Sequence, residues 1–233
     1  MSKALFERDG YAVAPLFDPA LIRAAETDIA EHVDRVARAL YLPFGESCPE
    51  EPLATRLDRI WQEDRSLANL LRIAICTDAH RGPRLRAVAD APELALAAAR
   101  LAGRPLDGRV VRVRAGIRAF PEHLHDWHSD VARDDGTSCG GVRITAWIPL
   151  KDTGPGEGGL ELVPGRRDAP LPHREDRAFS IAEGALAGMP RIRPDCPAGS
   201  VLFLDRFTPH RSLPVEGSAR FALVIWMKGA PTA

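Results

Sequence analysis

The sequence predicts an α+β fold, with a β-sandwich or barrel that carries helices on one side. Apolar residues recur at helical spacing in the first half of the 233-residue chain. In the second half apolar and polar residues alternate, which indicates half-buried strands, and turn-rich stretches such as 153–159 separate them. The sequence contains no internal repeat and no low-complexity linker, so residues 1–233 are expected to form a single domain.

The first helix is expected to begin at Asp18. The Asp18 side chain can cap the helix, Pro19 suits the first helical position, and Phe17 can pack on Ile22 as a hydrophobic staple. One apolar helical stripe follows, made of Leu21, Ala25, Ile29, His32, Val33, Val36 and Leu40. This start signal and stripe together predict a long N-terminal helical region.

Two further helices and five strands are predicted along the rest of the chain. The helices cover residues 66–76 and 92–102, and the strands cover residues 110–118, 142–150, 160–163, 201–204 and 221–227. Gly103 closes the last helix as a C-terminal glycine. The strand over 142–150 has one apolar face, while Arg143, Thr145 and Trp147 share the other face.

Composition and charge exclude several classes of partner. The formal net charge is −1, so no strong field favours nucleic acid or an anionic membrane. No apolar run approaches the roughly 20 residues that span a bilayer, and the N-terminus does not resemble a signal peptide. The four cysteines form no CxxC pair, which favours free thiols in a reducing cytoplasm. We therefore expect a cytoplasmic protein with a small-molecule substrate; the oligomeric state stays open.

A set of candidate metal ligands lies in the second half of the chain. His128 and Asp130 are two residues apart, so on an extended segment their side chains point to the same side. His210 follows the predicted buried strand over 201–204. Two histidines and one carboxylate are the ligands of a facial-triad Fe(II) site, which keeps positions open for oxygen chemistry. Arg220 follows at a spacing that would let it hold the far carboxylate of an acidic co-substrate.

Two alternatives stay open beside this metal centre. His123-Leu124-His125 with Asp130 resembles the first metal motif of cupins, but the histidine of the second cupin motif is absent after Gly199. A metal-free binding module is the other alternative. The sequence has no nucleophile elbow, P-loop or dinucleotide fingerprint to support a hydrolase, kinase or dehydrogenase.

Several segments, in order, resemble the phytanoyl-CoA dioxygenase-like enzymes. Trp127-His128-Ser129-Asp130 is similar to the Trp-His-Gln-Asp segment of that family. Similar segments span nearly the whole chain: 6–15, 145–152, 158–165, and 199–204 with His210 and Arg220 after it. One departure is that Arg166 and Arg167 replace the family's usual Ser-His, which we interpret as a solvated turn.

The resemblance implies a double-stranded β-helix (jelly roll) with flanking N-terminal helices, and the cofactors Fe(II), 2-oxoglutarate and O2. His128, Asp130 and His210 would hold the iron, and Arg220 would bind the distal carboxylate of 2-oxoglutarate with two hydrogen bonds. Trp147 would lie along the co-substrate, with plain core packing as the alternative. Asp130 argues for hydroxylation or a related oxidation such as desaturation, because halogenating relatives lack this carboxylate.

Residues around the expected pocket are candidates for further contacts. Arg114 shares one strand face with Arg112 and Arg118, and it is a candidate second anion contact, with exposure to solvent as the alternative. His125, Arg133 and Arg211 are candidate selectors of a polar or anionic substrate, and residues 131–141 are a candidate cover. Family members act on acyl-CoA thioesters, amino acids, compatible solutes and natural-product scaffolds. An amino acid or a natural-product scaffold is the expected substrate, and hydroxylation of an unactivated C–H bond is the expected reaction.

Overall fold

A computed structural model describes residues 2–41, 51–118, 120–130, 141–154, 156–174 and 180–229 of the chain. Its α-helices are α1 (Lys3–Asp9), α2 (Pro19–Ala24), α3 (Glu26–Ala39), α4 (Leu53–Glu63), α5 (Arg65–Asp78), α6 (Pro83–Ala89) and α7 (Pro92–Ala102). Its strands are β1 (Tyr11–Pro15), β2 (Gly108–Gly116), β3 (Val142–Pro149), β4 (Leu160–Leu162), β5 (Ser200–Asp205), β6 (His210–Ser212) and β7 (Arg220–Lys228). Within these residues no helix has both the length and the apolar character needed to cross a membrane.

The strands form two antiparallel sheets. The larger sheet has five strands in the order β1-β5-β3-β7-β2, and the smaller sheet pairs β4 with β6. Alternate residues of a strand face opposite sides of its sheet, so each strand of the larger sheet contributes to two separate cores. The mixed helix and antiparallel-sheet content matches the α+β class that the sequence predicts.

The helices cover one face of the larger sheet. Val113, Ile144 and Phe203 point from the strands into a core that includes Ile29 and Leu71 of the helices. The opposite face of the sheet packs in a second core against the smaller sheet; this core includes Trp147, Leu160, Leu162, Leu202, Val224 and Trp226. On each strand, the residues between the helix-facing ones therefore point into the space between the two sheets.

The N-terminal helical region agrees with the sequence at its start and differs from it further on. The Asp18 side chain accepts a hydrogen bond from the Ala20 amide at 2.8 Å, so the predicted cap is confirmed. The region is divided into α2 and α3 at the buried Ala25, and the predicted stripe is wrong at its ends, because Leu21 and Leu40 are exposed. Ile22 of α2 packs in the same core as Ile29 and Val33 of α3, so α2 buries Ile22 instead of Leu21, and Leu40 lies at the end of α3.

The other predicted elements are confirmed with small shifts of their ends. The helix predicted over 92–102 is α7, and Gly103 ends it with a φ of 71°. The helix predicted over 66–76 lies within α5, and each predicted strand overlaps an observed one. The sequence analysis did not predict the helices α1, α4 and α6 or the strands β1 and β6. Cys76 and Cys196 are free thiols, whereas Cys48 and Cys139 lie outside the described residues.

Candidate metal centre

The candidate ligands are brought together by a backbone bridge between two distant segments. The His128 amide donates to the His210 carbonyl at 3.0 Å, and the His210 amide donates to the His128 carbonyl at 2.9 Å. Strand β6, which carries His210, is held on its other side by β4. This reciprocal pairing places the two imidazole rings with their centroids 4.3 Å apart.

Asp130 completes a three-residue cluster with the two histidines. The Nε2 atom of His128 lies 4.0 Å from Oδ1 of Asp130, and Nε2 of His210 lies 3.9 Å from Oδ2. One ligand atom from each residue lies within 4.8 Å of the other two. Because metal–nitrogen and metal–oxygen bonds are roughly 2.0–2.2 Å long, an ion between these atoms can bond to all three after small side-chain rotations.

Both imidazoles are oriented by backbone carbonyl groups. Nδ1 of His128 lies 2.7 Å from the Asp126 carbonyl oxygen, and Nδ1 of His210 lies 3.0 Å from the Thr208 carbonyl oxygen. A proton on Nδ1 donates to the carbonyl and leaves the Nε2 lone pair free to bind a metal. Burial, and then the neighbouring His210, lower the pKa of His128 well below 6.5, so its ring is neutral near neutral pH.

The Asp130 carboxylate is held by two side chains from the larger sheet. The Thr145 hydroxyl donates to Oδ2, and the Trp226 indole N–H donates to Oδ1 at 2.9 Å. Burial by itself would raise the pKa of Asp130, but the two histidines and these hydrogen bonds outweigh it and lower that pKa. The group is therefore an anion at neutral pH, and each oxygen keeps a lone pair for a cation.

Arg220 lies at the start of β7 and is buried, with 2% of its surface exposed. Its guanidinium carbon is 5.5 Å from the centre of the Trp147 ring. Among the described residues, Arg220 has no hydrogen-bond acceptor or carboxylate partner, and its Nε is buried without a partner. Burial lowers the pKa of Arg220 from 12.5 to about 10. A buried, unpaired guanidinium is a strong attractor for an anion from solution.

Two glycines make space around the Arg220 guanidinium. A Cβ atom added at Gly116 would lie 3.0 Å from Nη2 of Arg220. A Cβ added at Gly158, whose φ is +73°, would lie 3.4 Å from Nε of Arg220 and 2.3 Å from Cγ2 of Val215. Larger residues at these two positions would therefore crowd the guanidinium and the space through which an anion would reach it.

Arg114 of β2 lies on the inner side of the sheet, whereas Arg118 lies beyond the end of that strand. Arg114 has its guanidinium carbon 5.3 Å from the ring centre of Trp226, the residue that also donates to Asp130. Arg114 therefore lies close to the candidate ligands, as the alternation of strand 110–118 predicted. Whether it binds an anion stays a prediction.

His123 and His125 are not members of the metal-binding cluster found in the described residues. His123 packs against Phe120, with ring centroids 5.8 Å apart. His125 is exposed, but its ring centroid is 5.3 Å from that of His128, at the mouth of the site. Desolvation by the surrounding protein, and then the positive charge of Arg114, lower the pKa of His125 to about 4. This position suits a residue that contacts a substrate better than one that holds the metal.

Other candidate contacts are used elsewhere or cannot be placed. Arg211 donates to Glu161 at 2.8 Å, and its guanidinium carbon lies 4.9 Å from the ring centre of Trp127. Its charge is thus already paired, which argues against a role in selecting an anionic substrate. Arg133 and nearly all of the candidate cover, residues 131–140, lie outside the described residues. Arg166 is exposed, as the interpretation as a solvated turn predicts, whereas Arg167 is half-buried and donates to the Gly165 carbonyl at 2.6 Å.

No protein-family profile and no curated protein matches this chain. Solved structures do match it along nearly its full length. The chain shares its fold with non-heme enzymes of known structure. The apo form of the non-heme monooxygenase ThoJ is 20% identical with a TM-score of 0.62, and the match covers 99% of this chain and 79% of ThoJ. AviO1 from Streptomyces viridochromogenes is 22% identical with a TM-score of 0.59, covering 100% of this chain and 96% of AviO1.

A third match is the epimerase SnoN, whose structure contains Fe3+, alpha-ketoglutarate and a nogalamycin compound. It is 21% identical, with a TM-score of 0.56, and the match covers 96% of this chain and 81% of SnoN. At this level of identity the three matches establish a common fold and leave the chemistry to be argued from the site. No match tests the assignment to the phytanoyl-CoA dioxygenase-like family.

Proposed function

We propose that this chain is an Fe(II)- and 2-oxoglutarate-dependent dioxygenase that hydroxylates an unactivated C–H bond of a small molecule, either an amino acid or a natural-product scaffold. One observation carries this proposal: two histidines and one carboxylate form a cluster, and the described residues also include the buried Arg220, which has no carboxylate partner among them. The fold is a double-stranded β-helix with N-terminal helices, and residues 1–233 form a single domain of a cytoplasmic enzyme.

The residues present fit both the metal and the acid. His128, Asp130 and His210 offer the nitrogen and oxygen atoms that a facial-triad ferrous site uses. Arg220 offers a planar guanidinium that matches the distal carboxylate of 2-oxoglutarate, and Trp147 forms the wall beside it. When bound, the ferrous ion supplies the activation of O2, so that 2-oxoglutarate becomes succinate and CO2 while one oxygen atom enters the substrate C–H bond.

The chain itself orients the ligands and keeps water away from the reacting groups. The carbonyls of Asp126 and Thr208 fix the two imidazoles, and Thr145 and Trp226 fix the carboxylate. The apolar core between the two sheets, with Leu202 and Val224 among its members, excludes water from the inner end of the site.

The comparison structures support a wider range of outcomes than hydroxylation. ThoJ is named a monooxygenase, SnoN an epimerase and SnoK a carbocyclase. SnoK is 19% identical to this chain, with a TM-score of 0.58. Asp130 occupies the ligand position that a halogenating enzyme would leave free, so halogenation is disfavoured. Hydroxylation is the proposed outcome because it needs no residue beyond those of the cluster and the anion site.

Anaerobic addition of Fe(II) and 2-oxoglutarate tests the proposal. We expect a weak visible charge-transfer band in the wild type, loss of the band in Asp130→Ala, and retention of the band in the exposed control Asp168→Ala. Under air, succinate release across a panel of amino acids and secondary metabolites then identifies the substrate class. A wild type that binds no iron and releases no succinate would instead support the metal-free binding module.

A further inference from the structure

The segment between the first two candidate ligands is held by a third histidine that the proposed chemistry does not use. Ser129 lies between His128 and Asp130 and is buried, with 5% of its surface exposed. Its backbone N–H donates to Nε2 of His173 at 3.0 Å, and its hydroxyl oxygen lies 3.4 Å from the same nitrogen. A buried amide needs an acceptor, and here an imidazole takes the place of a backbone carbonyl.

His173 is prepared for this role by its own neighbours. Its Nδ1 lies 2.7 Å from the Leu171 carbonyl oxygen, which fixes the ring proton on Nδ1 and leaves Nε2 as an acceptor. Burial lowers the pKa of His173, in agreement with a neutral ring. Ile181 forms an antiparallel bridge with His173, and the Ile181 amide donates to the Trp127 carbonyl at 2.6 Å.

The His128–Asp130 segment is therefore held on two sides. His128 is paired with His210 of β6, while Trp127 and Ser129 are bonded to Ile181 and His173. We propose that His173 is a positioning residue of the metal centre: by accepting the Ser129 amide, it fixes the relative orientation of the His128 and Asp130 side chains. This inference rests on the proposed metal site, and His173 itself does not touch the metal.

Metal binding by position-173 variants of the full-length chain tests this role. Co(II) alone serves as the probe, with affinity measured by calorimetry and geometry by the visible ligand-field spectrum. We expect His173→Phe to bind Co(II) about 10- to 100-fold more weakly, with a changed spectrum, as is typical when an outer-shell partner is lost. The matched control is His32→Phe, which removes a buried imidazole that contacts the Ala74 carbonyl in the helical layer at 3.2 Å. This control should keep the wild-type affinity and spectrum.

Conservative variants separate the hydrogen bond from packing. The side-chain oxygen of His173→Gln can occupy the place of Nε2, so this variant should restore near-wild-type affinity. The oxygen of His173→Asn falls near the place of Nδ1 and should not restore it. Amide exchange at Ser129, measured without metal, should be faster in the Asn variant than in the Gln variant. This pair decides the question even if His173→Phe does not fold.

The results separate this inference from the proposed function. Equal Co(II) affinity and spectra for the wild type and His173→Phe, or for the Gln and Asn variants, would overturn the positioning role. A wild type that binds Co(II) no better than Asp130→Ala would overturn the metal site itself. In that case exchange at the Ser129 amide still reports whether the hydrogen bond exists.

Discussion

The indole N–H of Trp226 donates to Oδ1 of Asp130 at 2.9 Å, which links the last strand of the larger sheet to the candidate metal carboxylate. The two residues are far apart in sequence, and the bond depends on the β3–β7 pairing that places Trp226 beside Thr145. The carboxylate is therefore oriented by the rigid sheet, whereas its own backbone belongs to a segment outside that sheet.

Replacing Trp226 with phenylalanine should weaken metal binding. The Trp226→Phe variant keeps an aromatic ring but removes the donor, so Asp130 loses one of its two side-chain hydrogen bonds. We expect about a 10-fold or larger loss in Co(II) affinity with little change in fold, measured by calorimetry and circular dichroism. The control is Trp61→Phe, because among the described residues the buried Nε1 of Trp61 has no hydrogen-bond partner. Equal losses in the two variants would contradict this account.

Arg220 should lower the stability of the ligand-free protein. Its pKa of about 10, compared with an ordinary 12.5, corresponds to roughly 3 kcal/mol of destabilisation. This cost is constant at neutral pH, where the group is charged in both the folded and unfolded protein, and it is relieved only as the pH rises above about 10. Arg220→Met should therefore unfold at a higher urea concentration than the wild type.

The urea unfolding of Arg220→Met is compared with that of a second arginine variant and is repeated with a ligand added. Arg211→Met removes an arginine that is paired with Glu161, and it should lower the stability. Added 2-oxoglutarate, with Mn(II) in place of iron, should raise the urea concentration at which the wild type unfolds. The same addition should leave the unfolding concentration of Arg220→Met unchanged. A loss of stability in Arg220→Met comparable to that in Arg211→Met would argue against an anion-binding role for Arg220.

Gly158 should tolerate alanine much less well than Gly188. Both have a φ of +73°, so both alanine variants carry a backbone cost of roughly 1–2 kcal/mol. At Gly188 nothing lies within 4 Å of the added Cβ, whereas at Gly158 it would lie 2.3 Å from Cγ2 of Val215. The free energy of unfolding should therefore fall further in Gly158→Ala, and Val215→Ala in the same chain should recover the difference. Similar losses for the two single variants would show that the Val215 contact relaxes freely.

The Cys196 thiol should resist alkylation in the folded protein. Burial raises its pKa from 9.0 to about 12, which reduces the thiolate fraction at pH 8 by about a thousandfold. The half-buried Cys76 should react faster, and the rate at Cys196 should rise with pH well beyond pH 9. Iodoacetamide labelling followed by peptide mass spectrometry measures both rates. Labelling of Cys196 at the rate of Cys76 in the folded protein would be inconsistent with this environment.

The parts of the molecule that depend on local patterns could be predicted from the sequence. The alternation in 142–150, the start signal at Asp18 and the C-terminal glycine at Gly103 depend on neighbouring residues, and these elements are present. The convergence of His128, Asp130 and His210 follows the sequence prediction, in which two candidate ligands share an extended segment and the third candidate follows a buried strand.

The side chains that hold the candidate ligand segment in place could not be predicted in the same way. Trp226 and His173 meet the ligand segment across 96 and 44 positions of sequence, and only the assembled sheets bring them near. Nothing in the local sequence around His173 distinguishes it from a surface histidine.

The bridge between His128 and His210 is made entirely of main-chain atoms. Its geometry is therefore indifferent to which side chains stand at the two positions. Substitution of either imidazole therefore leaves the donors and acceptors of both bridging hydrogen bonds in the chain. A change of side chain at position 128 or 210 can then alter what the centre binds while the two segments stay paired.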